Sequence, residues 1–255
     1  MSRADLFLWI ALPYLCIAIF VGGHVWRYRR DQLTWTARST QLLEQRLLMV
    51  GSLLFHFGIL AVIGGHVLGI LIPHGVTSYI GIREHVYHLI SLVAGGAAGV
   101  ATSLGFLILL ARRFGLPRVR ATTSRGDLVM YPLLTIALVT GMLATFGGNL
   151  VHAYHYRETV APWFRGIFGF SPRPSLMRDA PFLFQLHVTA VWLLFAVWPF
   201  SRLVHAWSIP LPYLQRAWIP YRSRNPRAAL AYERARTAGG ERVVAGEPAP
   251  GPLPR

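Results

Sequence analysis

Five stretches of the chain, at about 4–26, 47–72, 86–111, 128–147 and 181–206, are almost continuously apolar, and the polar positions collect in the segments between them. An α-helix rises about 1.5 Å per residue, so about 20 apolar residues cross a hydrocarbon core about 30 Å thick. Each stretch reaches that length. The pattern predicts an all-α integral membrane protein with five transmembrane helices. The first stretch is longer than a signal-peptide core, lacks an A-x-A cleavage signature and ends in Arg27-Tyr28-Arg29-Arg30, which predicts a retained anchor. Pro73 closes the second stretch, Arg112-Arg113 the third, and the polar segment 117–127 offers several N-caps for the fourth. Within 148–180 the aromatic-rich run from Ala161 to Phe170 predicts a segment lying on the membrane surface at the headgroup level. Residues 1–220 are read as the membrane domain. Residues 221–255, rich in Arg, Ala, Pro and Gly, cannot bury enough apolar surface to fold alone and are expected to be a tail that is disordered or held by a partner.

Composition agrees with a membrane protein: 54% of residues are hydrophobic and 13% aromatic. The net charge of +15 comes from 25 basic residues, every one of them Arg, a compositional bias more than a chemical signal. Their positions carry the information. Five Arg lie in 27–46, five in 112–126 and nine from 202 onward, against one before the first stretch, one in 72–85 and four in 148–180. The positive-inside rule then puts the N-terminus outside and the C-terminus in the cytoplasm. Because the Arg residues follow helix ends and form no single patch, nucleic-acid binding is excluded as the reason for the charge. Anionic lipid heads and partner carboxylates are the expected contacts of Arg112, Arg113 and Arg202. Cys16 is the only cysteine, so the chain can build neither an iron–sulfur cluster nor an internal disulfide, and any such cluster must belong to a partner.

Histidine changes the picture further. Six of the ten, His24, His74, His85, His88, His152 and His155, fall in loops or near helix ends, where water satisfies most of them. The other four sit in or at the edge of two apolar stretches: His56 and His66 in the second, His187 and His205 in the fifth. An imidazole in hydrocarbon is costly unless it has a partner. The two helices run in opposite directions, so His66 and His187 share one depth and His56 and His205 the other. Two imidazoles facing each other across a gap are what bis-histidine haem requires. Zinc wants four ligands, and no cysteine or carboxylate stands near either pair. Backbone hydrogen bonding or a proton relay remain open for such buried histidines. The spacing is awkward: ten residues separate the first pair, about 15 Å along a helix, and eighteen the second, about 27 Å. A kink at Pro199 is expected to absorb part of that difference. Gly65 and Gly69, and Gly95 and Gly99, form two GxxxG motifs, expected to pack helices closely and to clear a face for a flat macrocycle.

With Leu54-Phe55-His56, Gly65-His66, Pro73-His74, Ala94-Gly95-Gly96-Ala97, Pro117-Arg118-Val119-Arg120-Ala121-Thr122-Thr123 and Pro199-Phe200-Ser201-Arg202-Leu203, together with Pro13-Tyr14, Arg27-Tyr28 and Thr34-Trp35, the sequence resembles the gamma subunit of respiratory nitrate reductase over nearly all of residues 1–215. That family is a di-haem cytochrome b of five helices in the bacterial or archaeal inner membrane. The resemblance implies two b haems: an outer one on His66 and His187, an inner one on His56 and His205. It also implies quinol oxidation beside the outer haem, with electrons passing inward to an iron–sulfur beta subunit and a molybdenum alpha subunit. The chain departs from some members in having no Lys near the start of the third helix; His85 and His88 stand there instead and are the candidates to accept the quinol proton. Gly64 and Gly65, which leave room for a ring against the backbone, and Arg112 and Arg202 are the cofactor-binding candidates. Three alternatives remain: a related cytochrome b of a sulfite- or heterodisulfide-reducing complex, a transporter with a histidine proton relay, and a plain membrane anchor.

Overall fold

Five helices long and apolar enough to cross a membrane form the frame of the computed structural model, which describes residues 2–31, 35–81, 84–150 and 154–207. They are α1 (Arg3–Arg30), α2 (Arg46–Leu71), α3 (Val86–Gly115), α4 (Arg125–Gly147) and α5 (Phe182–Phe200). Among the described residues there is no strand. Backbone contacts divide the chain into 1–209 and 210–255. The expected tail at 221–255 lies outside the described residues.

Helices in lipid gain little from hydrophobicity and associate by close packing, so small residues decide which pairs form. The tightest pair is α2 against α3. A Cβ added at Gly58 would lie 2.7 Å from the backbone nitrogen of Thr102, and one at Gly105 would lie 2.8 Å from the carbonyl oxygen of Gly51. Thr102 is fully buried and satisfies its own hydroxyl by donating to the carbonyl of Ala98 at 2.7 Å. The glycines that bring these helices together are therefore Gly51, Gly58 and Gly105. The GxxxG expectation needs correcting on this point: Gly65 and Gly95 have nothing within 4 Å of an added Cβ. α4 packs on α5, α5 on α1, and α3 on α4. α2 and α5, the two helices that carry the paired histidines, are not among the closely packed pairs.

The connection between α4 and α5 is built differently from its composition. Val160–Phe168 is a short helix with one face turned into the protein. Trp163, Ala161 and Ile167 are at most 1% exposed, and Trp163 and Ile167 share one cluster with Trp9, Cys16, Met177 and Trp192. The Trp163 indole donates to the carbonyl of Trp9 at 2.9 Å. Trp9 lies in a π-helical turn, Phe7–Ala11, where the regular hydrogen-bond ladder is disturbed and a carbonyl is open to a side chain. Of the aromatic residues that suggested the headgroup level, Trp163 enters this core and Phe164 packs against it, whereas Phe168 and Phe170 remain exposed.

α5 also differs from the single helix expected over 181–206. The α-helix ends at Val197, Trp198–Phe200 is a tight turn, Ser201 is extended (φ −113°, ψ −179°), and Arg202–Trp207 forms a separate 3₁₀ turn. Pro199 has no N–H to continue the ladder. The freed groups are held from two sides. Arg27 of α1 donates to the carbonyls of Pro199 and Ser201. Asp127 of α4, fully buried, accepts from the backbone N–H of Arg202 at 3.1 Å and pairs with its guanidinium at 2.7 Å. The chain is thereby turned across the end of the bundle.

Candidate functional site

That turn settles the mismatch between fifteen and twenty-seven ångströms. A straight helix would carry His205 too far; the break at Pro199 returns it to the level of His56. The ring centroids of His56 and His205 lie 5.9 Å apart, with planes at 68°. At the other depth His66 and His187 are 6.1 Å apart, with planes at 23°. In neither pair do the two rings bond each other. A single metal atom with nitrogen bonds of about 2 Å on either side would span such a gap.

Each of the four rings is fixed through the same atom. His56 Nδ1 donates to the carbonyl of Ser52 at 2.8 Å, His66 Nδ1 to Val62 at 2.8 Å, His187 Nδ1 to Ala137 at 2.9 Å and His205 Nδ1 to Arg202 at 2.6 Å. A carbonyl oxygen only accepts, so the proton must sit on Nδ1 and the Nε2 lone pair is left available. Among the described residues none of the four Nε2 atoms has a hydrogen-bond partner. This is the tautomer, with its Nδ1–H held by a carbonyl, that metal-ligating histidines use. No group of three or more His, Cys, Asp or Glu gathers among the described residues, so each level offers two imidazoles and nothing more. Two axial nitrogens suit a metal whose other four bonds come from a macrocycle.

The surroundings also leave space for a flat group. α2 and α5 stand apart, and α2 buries only 11% of its apolar window, against 22–28% for the other four helices. Gly64, Gly65 and Gly95 face open space. The register that sets Gly58 on Thr102 and Phe55 on Gly105 brings Gly65 abreast of Gly95, so two bare backbones stand at about the level of His66. Gly141 of α4 lies against the ring of His187, where an added Cβ would stand 3.1 Å from Cε1.

A family model for the nitrate reductase gamma subunit matches residues 5–224. The chain belongs to that family. It is 46% identical over 218 residues to the nitrate reductase gamma chain of Bacillus subtilis, covering 86% of this chain and 98% of that one. It is 36% identical over 228 residues to the respiratory nitrate reductase 1 gamma chain of Escherichia coli, covering 88% and 100%. It is also 47% identical over 218 residues to the nitrate reductase-like protein NarX of Mycobacterium tuberculosis; these make up 85% of this chain but only 33% of that longer protein.

For a gamma-family chain, the arginines prove to be internal fasteners. Arg112, 2% exposed, donates Nε to Glu44 at 2.5 Å, Nη1 to the Thr40 hydroxyl at 2.8 Å and Nη2 to the carbonyls of Thr40 and Glu44 at 2.9 and 2.7 Å. Arg113 donates Nη1 to the carbonyl of Val119 and the hydroxyl of Thr122. Both turn inward, where the sequence suggested outward contacts with partners or lipid heads. Arg202 pairs with Asp127 and offers its carbonyl to His205. His88 is half-buried on the short helix Glu84–Ile90. The side chain of His85 lies outside what the structure describes, as does His152.

Two features of this gamma-family chain had no sequence signal. His24 has the same bond pattern as the four paired histidines, with Nδ1 on the carbonyl of Phe20 at 2.7 Å and a buried Nε2 without a partner, set among Phe20, Trp35 and Trp207. No second imidazole faces it among the described residues, and it is not the solvated ring its position suggested. Beyond His66, α2 widens into a π-helical turn, Val67–Leu71, and the Arg165 guanidinium donates to the carbonyl of Ile70 within it at 2.7 Å.

Proposed function

We propose that the chain is the membrane cytochrome b subunit of a respiratory nitrate reductase, taking electrons from quinol and handing them to an iron–sulfur beta subunit and a molybdenum alpha subunit in the cytoplasm. The observation that carries the reading is the double pair of imidazoles about 6 Å apart, each with Nδ1–H on a carbonyl and Nε2 uncommitted. Family membership and the gamma-chain relatives support the nitrate reductase assignment. His66 and His187 would hold one b haem near the outer face, and His56 and His205 a second near the cytoplasmic face. A haem bound at each pair supplies one-electron chemistry, matched to a donor that gives up two electrons in turn.

The chain's own work is positioning. The four carbonyls fix ring orientation and keep the lone pairs aimed. Gly64, Gly65 and Gly95 keep side chains out of the cleft beside His66, where a quinol ring would lie. Asp127, Arg202 and Arg27 hold the turn that delivers His205. His88, and His85 with it, stand at the start of α3 as candidates for the quinol proton. The single cysteine, Cys16, is buried in α1, which supports placing the iron–sulfur centres on a partner.

Absorbance spectroscopy of membranes carrying the full complex tests the reading. Addition of a quinol analogue should produce the spectrum of reduced b haem, with two haems per chain on extraction. Colourless protein would overturn the proposal in favour of a histidine relay.

A further inference from the structure

One turn beyond Gly65 on the same stripe of α2 stands Gly69, and the two differ sharply. Gly65 looks onto open space, whereas a Cβ at Gly69 would lie 2.5 Å from both the Tyr87 and the Tyr156 hydroxyl oxygens. The two phenols share a hydrogen bond of 2.6 Å. Tyr87 is 8% exposed, and the Arg157 guanidinium, itself 6% exposed, sits 4.0 Å over its ring. Arg157 donates in turn to the hydroxyl of Thr77 at 2.8 Å, and Thr77 donates to the carbonyl of His74. One turn beyond Tyr87 begins the π-helical turn Ser91–Gly95, which ends at the other open glycine. Tyr156 lies in the turn 154–159, in which His155 and Glu158 are exposed.

A pair of part-buried hydroxyls one turn from an open glycine needs a reason. Helix packing would be served by two phenylalanines.

We propose that the Tyr87–Tyr156 hydroxyl pair receives the protons of a quinol lying against Gly65 and Gly95 and passes them toward water at the loop 154–159. The proposal rests on the functional reading above. In each transfer a quinol O–H bond breaks and its proton goes to a tyrosine oxygen, while that hydroxyl releases its own proton along the hydrogen bond to the other and on toward His155 and Glu158. The quinol's two electrons would go, one at a time, to the one-electron acceptor that His66 and His187 would hold. Burial and the Tyr87 hydroxyl hold the Tyr156 phenol well above its ordinary pKa. Transfer through it therefore proceeds by exchange of protons between neutral hydroxyls. Arg157, over the Tyr87 ring, favours any transient negative charge there.

Tyr87→Phe, Tyr156→Phe and the double variant keep the rings and remove only the hydroxyls. In the full complex in membranes, each should retain both haems and normal turnover with an artificial donor that reduces the partner subunits directly. Quinol-driven turnover should fall by about tenfold or more, with KM nearly unchanged and a larger solvent deuterium isotope effect. Gly69→Ala, which displaces both hydroxyls, should show the same signature. Unchanged turnover and isotope effect in all three tyrosine variants would overturn the relay, and so would a rise in KM alone, which marks a binding role. If quinol fails to reduce the unaltered complex, the functional reading falls and the relay with it.

Discussion

His187 shows how much of this site is decided at single atoms. Its Nδ1 bonds the Ala137 carbonyl at 2.9 Å, with the Thr140 hydroxyl at 3.3 Å, and its ring lies against the bare backbone of Gly141. An added methyl at Gly141 would press on Cε1 from 3.1 Å and push the ring a few tenths of an ångström off its line. Gly141→Ala is therefore expected to lower occupancy or shift the spectrum of the haem proposed at His66 and His187 while sparing the one proposed at the other pair. Haem content and low-temperature spectra of the purified variant check this. Equal loss of both haems would contradict it.

At the scale of elements, the break after Val197 matters most. Pro199 ends the helix, but the direction of the chain beyond it is fixed by the buried Asp127–Arg202 pair and by Arg27. Removing one member of a buried ion pair costs on the order of 3 kcal/mol and leaves the other charge without its partner. Asp127→Asn should accordingly release the turn and deplete the haem at His56 and His205, with the His66–His187 haem retained, as read from haem stoichiometry. The five helices were legible from run length alone, since a span must satisfy its backbone internally and leaves a long apolar signature. The juxtaposition of the histidines was legible as well, because two helices each carried two. The break was signalled only by Pro199; its direction depends on Asp127, distant in sequence. The core of Trp9, Trp163, Met177 and Trp192 could not be told from a surface segment, because aromatic residues serve both roles. Tyr87 and Tyr156 were invisible for a similar reason: nothing local links residues 69 positions apart.

For the molecule as a whole, the asymmetry of arginine predicts an orientation. Glu44 and Thr40 tie the loop after α1 to Arg112 at the end of α3, so the described part of that loop and the end of α3 lie on one side of the bundle. The proposed electron path requires that side to be cytoplasmic. A cysteine at Gln41 should resist an impermeant thiol reagent in intact cells and react once they are opened, whereas one at Ser171, in the connection to α5, should react at once. Both residues are exposed. The reverse pattern would turn the electron path around.

The pairing of the four histidines is the claim on which the rest stands, and potentiometric titration of the b haems tests it most directly. The unaltered complex should titrate in two waves. His66→Ala and His187→Ala should each abolish the same wave, and His56→Ala and His205→Ala the other. Two waves surviving in all four variants, or different waves lost by the two members of one pair, would contradict it.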